Sequence, residues 1–210
     1  DAEIVYGCLM INEMIANGEQ RAWADRIYND WAVDFAKRAD PNRIYPLAIV
    51  PNNDPKVAAE EVRRCAAMGL KGGDLAFKRM SLPLYHHDWY QLWEAAAECR
   101  FPISFHSTGF KGLRTPDTPE MEKEYMLPWR LVRSALFQLD TMEVLVSLIA
   151  SGACEKYPDF NFVLGECRSA DPAGPMAATR APSTAIIRAA ARIARGWRWT
   201  SAPSRARARW

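Results

Sequence analysis

Short apolar runs alternate with segments of helical period from residue 2 to residue 164, and this alternation constrains the fold more than any other feature of the chain. Residues 2–6, 44–50, 70–77, 101–105 and 161–164 read as strands, each a brief apolar run bounded by turn-forming residues. Residues 19–38 have helical period, with Trp23, Ile27, Trp31 and Phe35 recurring every fourth position as the stripe expected to pack on a sheet. Asp54 and Pro55 supply an N-cap and a first-turn proline for the next helix, and Gly69 the residue just past its end. Gly72 and Gly73 interrupt the third run, which predicts a bulge or a close backbone approach. Asp88 is expected to cap a helix that buries Trp89, Leu92 and Trp93. Asp140 and Glu143 have capping-box spacing and predict the start of another helix.

Strict alternation of strand and helix argues for an α/β fold with a parallel sheet and right-handed crossovers. Such a sheet is either open and doubly wound or part of a (β/α)8 TIM-barrel-like closure. No Gly-x-Gly-x-x-Gly and no phosphate-binding Gly-x-x-x-x-Gly-Lys-Ser/Thr follows any strand, so nucleotide-binding open sheets lose support and the barrel is the better reading. The run over 101–105 ends in His106, where a side chain meets solvent or ligand, and parallel α/β folds place their chemistry at the C-terminal ends of strands. His86 and His87 sit in a loop between a strand and a helix, and Glu166 follows the last recognisable strand. The connection over 107–139 is long for a compact domain and is expected to build a lid or a partner surface.

Composition narrows the class. The chain of 210 residues is long enough for one well-buried domain, expected over 1–170. No apolar run approaches the roughly 20 residues that span a bilayer, and no basic-then-apolar leader opens the sequence. Five scattered cysteines without a Cys-x-x-Cys pair fit a reduced, cytoplasmic protein. The net charge of +2 conceals an acidic body, with 19 basic and 24 acidic residues through residue 170, and a basic remainder with eight arginines and one acid. The body offers no electrostatic case for nucleic acid.

Several stretches resemble the amidohydrolase-2 family, the metal-dependent relatives of aminocarboxymuconate-semialdehyde decarboxylase. They are Tyr28-Asn29-Asp30-Trp31, Pro46-Leu47-Ala48-Ile49-Val50-Pro51 with Asp54-Pro55, Met68-Gly69-Leu70-Lys71-Gly72, Asp88-Trp89-Tyr90-Gln91-Leu92-Trp93, Pro102-Ile103-Ser104-Phe105-His106, and Ser151-Gly152 with Tyr157-Pro158-Asp159. Their order and spacing over residues 3–166 carry the resemblance as a set. It implies a distorted (β/α)8 barrel of which about strands two to six are recognisable. It further implies one divalent metal, zinc or manganese, held by a His-x-His pair on the first strand, a histidine ending the fifth and an aspartate on the eighth. His106 matches the fifth-strand ligand. The His-x-His pair would lie before Asp1, and the adjacent His86 and His87 do not supply it. Glu166 stands near the place where the sixth strand commonly carries an acid/base histidine and is the candidate proton carrier. His86 and His87 are candidate substrate contacts.

The implied activity is hydrolysis or nonoxidative decarboxylation of a small carboxylated molecule, with a homodimer built on the 107–139 excursion as a further expectation. The rival reading is a noncatalytic barrel fragment, or an interaction protein with a basic C-terminal arm. Residues 171–210 carry 12 Ala and eight Arg, and the family pattern stops before them. Disorder, or GC-rich DNA read in a shifted frame, is the expectation for that stretch; a nucleic-acid arm is the weaker alternative.

Overall fold

The structure is a computed structural model that describes residues 2–9, 14–40, 42–77, 79–106 and 118–165. Its elements follow one another as β1 (Glu3–Val5), α1 (Gly18–Arg38), β2 (Ile44–Pro46), β3 (Ala48–Ile49), α2 (Pro55–Ala67), β4 (Gly73–Leu75), a 3-10 turn (His87–Trp89), α3 (Tyr90–Glu98), β5 (Ile103–Phe105), α4 (Pro119–Ala150), α5 (Ala153–Lys156) and β6 (Phe162–Leu164). β1 pairs with β2, and β3, β4, β5 and β6 pair in that order, every pair parallel. Only Leu47 separates β2 from β3, and its amide donates to the Val5 carbonyl at 2.9 Å. One extended run therefore has β1 on one flank and β4 on the other, and the five predicted strands lie side by side in sequence order. An open doubly wound sheet reverses its strand order part-way; this one never does. Right-handed crossovers that always step the same way put every connecting helix on one face, which is barrel architecture.

The sheet curls. Three strand spacings separate β1 from β5, about 14 Å in a flat sheet. Yet the rings of Tyr6, just past β1, and His106, just past β5, lie 5.6 Å apart between centroids.

The outer face of the sheet is dry and aromatic. Ile103 and Phe105 alternate with Ser104, and Phe105 meets Trp93 of α3 at 6.0 Å. Trp93 also stacks on Phe160 at 4.9 Å, and Trp89, Leu92, Trp93 and Phe105 are fully buried, as expected for this helix. The two glycines of the third run permit close approach. A Cβ on Gly72 would lie 3.1 Å from the Pro102 carbonyl oxygen, and one on Gly73 2.7 Å from Val50 Cγ2. Asp54 caps α2 through hydrogen bonds from the Lys56 and Val57 amides, and Gly69 takes φ +103° just past its end.

Three local expectations are overturned. First, the Trp23–Ile27–Trp31 stripe of α1 does not pack on the sheet: those side chains are 67%, 69% and 53% exposed, while Arg21, Asp25, Asn29, Ala32 and Val33 are buried. Hydrogen bonding decides the face. The Asn29 amide nitrogen donates to the Ile49 carbonyl at 2.9 Å, and its oxygen accepts from the Ile49 amide at 2.7 Å, where β1 no longer runs alongside. The side chain completes the strand's backbone pairing, where bare groups in the interior would cost about 1–3 kcal/mol each.

Second, Asp88 does not cap α3. The His86 imidazole Nδ1 accepts from the Asp88 amide at 3.2 Å and caps the 3-10 turn instead. Third, no helix starts at Asp140. Thr118 accepts from the Met121 amide and, with Pro119, opens a single helix that runs to Ala150 through Pro128. A capping-box pair also fits a helix interior, so its spacing alone did not mark a boundary.

The described residues all fall within one compact unit. The predicted tail, 171–210, lies outside the described residues, as does 107–117 of the long connection. Among the described residues no helix is long and apolar enough to cross a membrane.

Candidate functional site

The strand register sorts side chains onto the two faces of the sheet. Asp74 of β4 pairs with Ser104 of β5, Ser104 with Val163 of β6, and Ile49 of β3 with Asp74. Residues in register share a face, so these four line the inner side, away from Trp93. His106 lies two residues beyond Ser104 and shares that face. Tyr6 reaches both from across the curl: its hydroxyl lies 3.5 Å from Ser104 Oγ, and its ring meets the His106 imidazole with the planes tilted by 55°. The sequence places His106 at a strand end, and the structure turns its ring inward.

One further step along the β5–β6 ladder sets Gly165 beside His106. The Gly165 amide donates to the Phe105 carbonyl at 2.8 Å, and a Cβ there would lie 3.5 Å from His106 Cα and Cδ2. Glu166, the predicted proton carrier, lies outside the described residues. His86 and His87 are both exposed in the loop that leaves β4. His86 is engaged in capping, and the His87 ring sits 5.0 Å from that of Tyr90.

A charged side chain near a strand is ordinarily solvated, and Asp74 of β4 departs from that rule. It is instead fully buried in the inner row. The available signal was its setting, the one acid inside the strand-like run over 70–77. Tyr28 of α1 also bears on this region. It packs against the inner cluster of Leu9, Ile49 and Ala76, and burial, then the neighbouring Asp74 and Cys8, push its hydroxyl above the ordinary range.

Behind the strand ends a polar frame fixes the loops. Buried Arg21 donates through Nε to Asn52 Oδ1 at 3.1 Å and through Nη1 to the Ile15 carbonyl at 3.0 Å; the Asn52 amide donates to the Ala76 carbonyl at 2.7 Å. The loops after β3 and β4 and the chain entering α1 are thereby tied together. Between α1 and α2, Asn29 Nδ2 donates to Glu61 Oε1 at 2.8 Å, and Arg64 grips both Glu61 oxygens at 2.6 and 2.8 Å. Burial alone would raise the Glu61 pKa. The hydrogen bonds from Arg64 and Asn29 and the Arg64 charge outweigh it and hold the carboxyl below its usual range.

A catalytic zinc takes three protein ligands and keeps one position open. Among the described residues no group of three or more His, Cys, Asp or Glu is placed to hold a metal ion. Among the described residues His106 is not grouped with two further donors of that kind.

The family model described as Amidohydrolase (Amidohydro_2) matches residues 8–210. The gamma-resorcylate decarboxylase of Rhodococcus jostii (strain RHA1) is 28% identical over 162 residues, which cover 68% of this chain and 47% of that protein. Among solved structures, the 5-carboxyvanillate decarboxylase of Sphingomonas paucimobilis superposes with a TM-score of 0.60 at 21% identity, covering 78% of this chain and 47% of that one. A dihydroxybenzoic acid decarboxylase from Polaromonas sp. JS666, described with bound manganese and 2-nitroresorcinol, gives 0.53 at 21% identity, covering 71% of this chain and 45% of that one. The chain spans about half the length of the curated relatives it matches.

Proposed function

The chain belongs to the amidohydrolase family, and on that footing we propose that it carries part of the site of a metal-dependent enzyme, a nonoxidative decarboxylase or hydrolase, that acts on a small aromatic carboxylate. One observation carries the reading: His106 directly follows strand β5, and its ring lies on the inner face against Tyr6. The three relatives named above are decarboxylases of gamma-resorcylate, 5-carboxyvanillate and dihydroxybenzoic acid, and they supply the substrate class.

In this reading His106 gives the metal one neutral imidazole ligand. The metal, manganese as in the relative or zinc, supplies Lewis acidity toward the substrate when bound. Ser104 and the Tyr6 hydroxyl offer hydrogen bonds on the same face, within reach of a phenol or carboxylate. Buried Asp74 adds a carboxyl group to the inner row, in register with Ser104. Glu166 holds or passes the proton that replaces the departing carboxyl group, and the exposed His86 and His87 contact substrate from the loop after β4.

Metal analysis of the purified full chain, after equilibration with Mn2+ or Zn2+ and removal of excess ion, tests the proposal. The expected result is retained metal that the His106→Ala variant loses, with the fold of the variant intact by circular dichroism. Equal retention by wild type and His106→Ala, or none by either, overturns the assignment and favours the noncatalytic reading.

A further inference from the structure

Helix α1 turns its tryptophans away from the sheet, and Trp23 borders a groove against α2. The two helices run side by side in the same direction, as successive helices of such a barrel do. At one end Arg64 of α2 reaches across the seam to Asp30 of α1 and also grips Glu61 on its own helix. That end is closed, and its charges are satisfied. Toward the two helix N-termini the walls leave a groove of about 540 Å3, a volume usual for a small-ligand site.

Glu19, Trp23 and Arg26 border this groove from successive turns of α1, and Val57 borders it from α2. Trp23 is 67% exposed and Val57 36%, so both walls leave apolar surface to water. Glu19 and Arg26 are exposed, and no ion pair among the described residues includes either. Glu60, the neighbouring acid on the α2 rim, has Lys56 of its own helix at 3.9 Å. Asn17 and Asp54 already cap the two helix N-termini. The groove therefore presents a negative charge, an apolar slot and a positive charge, in that order. A simple anion is drawn by Arg26 but repelled by Glu19 and Glu60; a simple cation is repelled by Arg26. A molecule with an ammonium at one end, a carboxylate at the other and an apolar group between them meets all three features. Glu19 and Arg26 stand seven residues apart, about 10 Å along the helix axis. An extended peptide of three residues spans roughly the same 10 Å.

We propose that the groove between α1 and α2 binds a short peptide with free termini, about three residues long and apolar at its centre. Its ammonium group pairs with Glu19, its central side chain lies between Trp23 and Val57, and its carboxylate pairs with Arg26.

Saturation-transfer NMR on the full chain, with the tripeptide Gly-Phe-Gly as the probe, tests this. The free peptide is expected to bind. Its N-acetylated form and its C-terminal amide should each bind about fivefold more weakly, the size of one exposed ion pair. Gly-Gly-Gly, which lacks the ring, should bind about tenfold more weakly or worse, and so should Gly-Phe-Gly to Trp23→Ala. Glu19→Gln should erase the penalty for acetylation and keep the penalty for amidation; Arg26→Gln should do the reverse. All three substituted side chains are exposed, so the circular dichroism spectra of the variants should match that of the wild type. Absence of transfer to any of the peptides overturns the proposal and leaves the groove to other parts of a longer chain. Binding indifferent to both end groups overturns it too, since the apolar slot alone would then hold the peptide. End-group penalties that persist unchanged in Glu19→Gln and Arg26→Gln reject these two residues as the partners of the termini and overturn the proposal as well.

Discussion

Tyr6 and His106 stand at the ends of strands three positions apart in the sheet, yet their rings meet at 5.6 Å. This contact holds the His106 imidazole over the inner face. Tyr6→Phe keeps the ring and should leave the His106 environment intact; Tyr6→Ala removes it. The expected outcome is an upfield ring-current shift on the His106 Hε1 or Hδ2 proton that survives in Tyr6→Phe and vanishes in Tyr6→Ala, read by proton–carbon correlation spectra. Because Tyr6 is 43% exposed, the alanine variant should lose only about 1 kcal/mol of stability, so a lost shift reports the site rather than unfolding.

Asn29 makes three buried hydrogen bonds, two to the Ile49 backbone and one to Glu61. Asn29→Ala leaves a strand amide, a strand carbonyl and a carboxylate oxygen each short of a partner. The expected loss is about 2–4 kcal/mol by urea denaturation. Asn29→Asp keeps the shape and the acceptor toward the Ile49 amide, but loses both donors and sets a second carboxylate beside Glu61. It should be at least as unstable as the alanine variant at neutral pH, and the gap should narrow in acid.

Asn29 also shows what the sequence withheld. The strands, their order, the α2 cap and the inward face of α3 were legible because each rests on local pattern: short apolar runs, Asp54-Pro55, and the spacing of Trp89, Leu92 and Trp93. The orientation of α1 was not. Its period was plain, but periodicity names a stripe without saying which side the sheet takes, and here backbone groups left unpaired at Ile49 select the polar side. His106 was legible as a strand terminus. Tyr6, Ser104 and Asp74 were not, because only the register and the curl of the sheet bring residues so distant in sequence onto one face. The capping role of His86 was hidden for a related reason: an imidazole serves as an N-cap far less often than the aspartate two residues later.

Glu61 should make stability depend on acid pH. Its folded-state pKa lies below the ordinary value, held down by Arg64 and Asn29 against the effect of burial. A depressed carboxyl contributes stability in full above its unfolded pKa, about 4.3, and that contribution is lost as pH falls through the lower folded value. Wild type is therefore expected to lose stability steeply below about pH 4. Glu61→Gln should be weaker by about 2–3 kcal/mol at pH 7 and shallower in its acid dependence. Parallel denaturation curves for the two proteins from pH 7 to pH 3 would show that Glu61 is not a source of the slope.

Gly73 tests how closely the third and fourth staves of the sheet fit. An added Cβ would come within 2.7 Å of Val50 Cγ2 and 2.8 Å of Phe101 Cε1, distances that real Cβ atoms do not tolerate. Val50 is β-branched and stiff about χ1, and the Phe101 ring is buried, so neither swings away freely. Gly73→Ala should cost about 1–3 kcal/mol through overpacking. Trimming one neighbour creates room: Val50→Ala destabilises by itself through a cavity, but in the double variant the new methyl partly fills that space. The two losses should add to more than the loss of the double variant, and urea denaturation of the three proteins measures the difference. Strict additivity would mean that the backbone yields at Gly73 and that the close approach of β4 to its neighbours is not what requires glycine there.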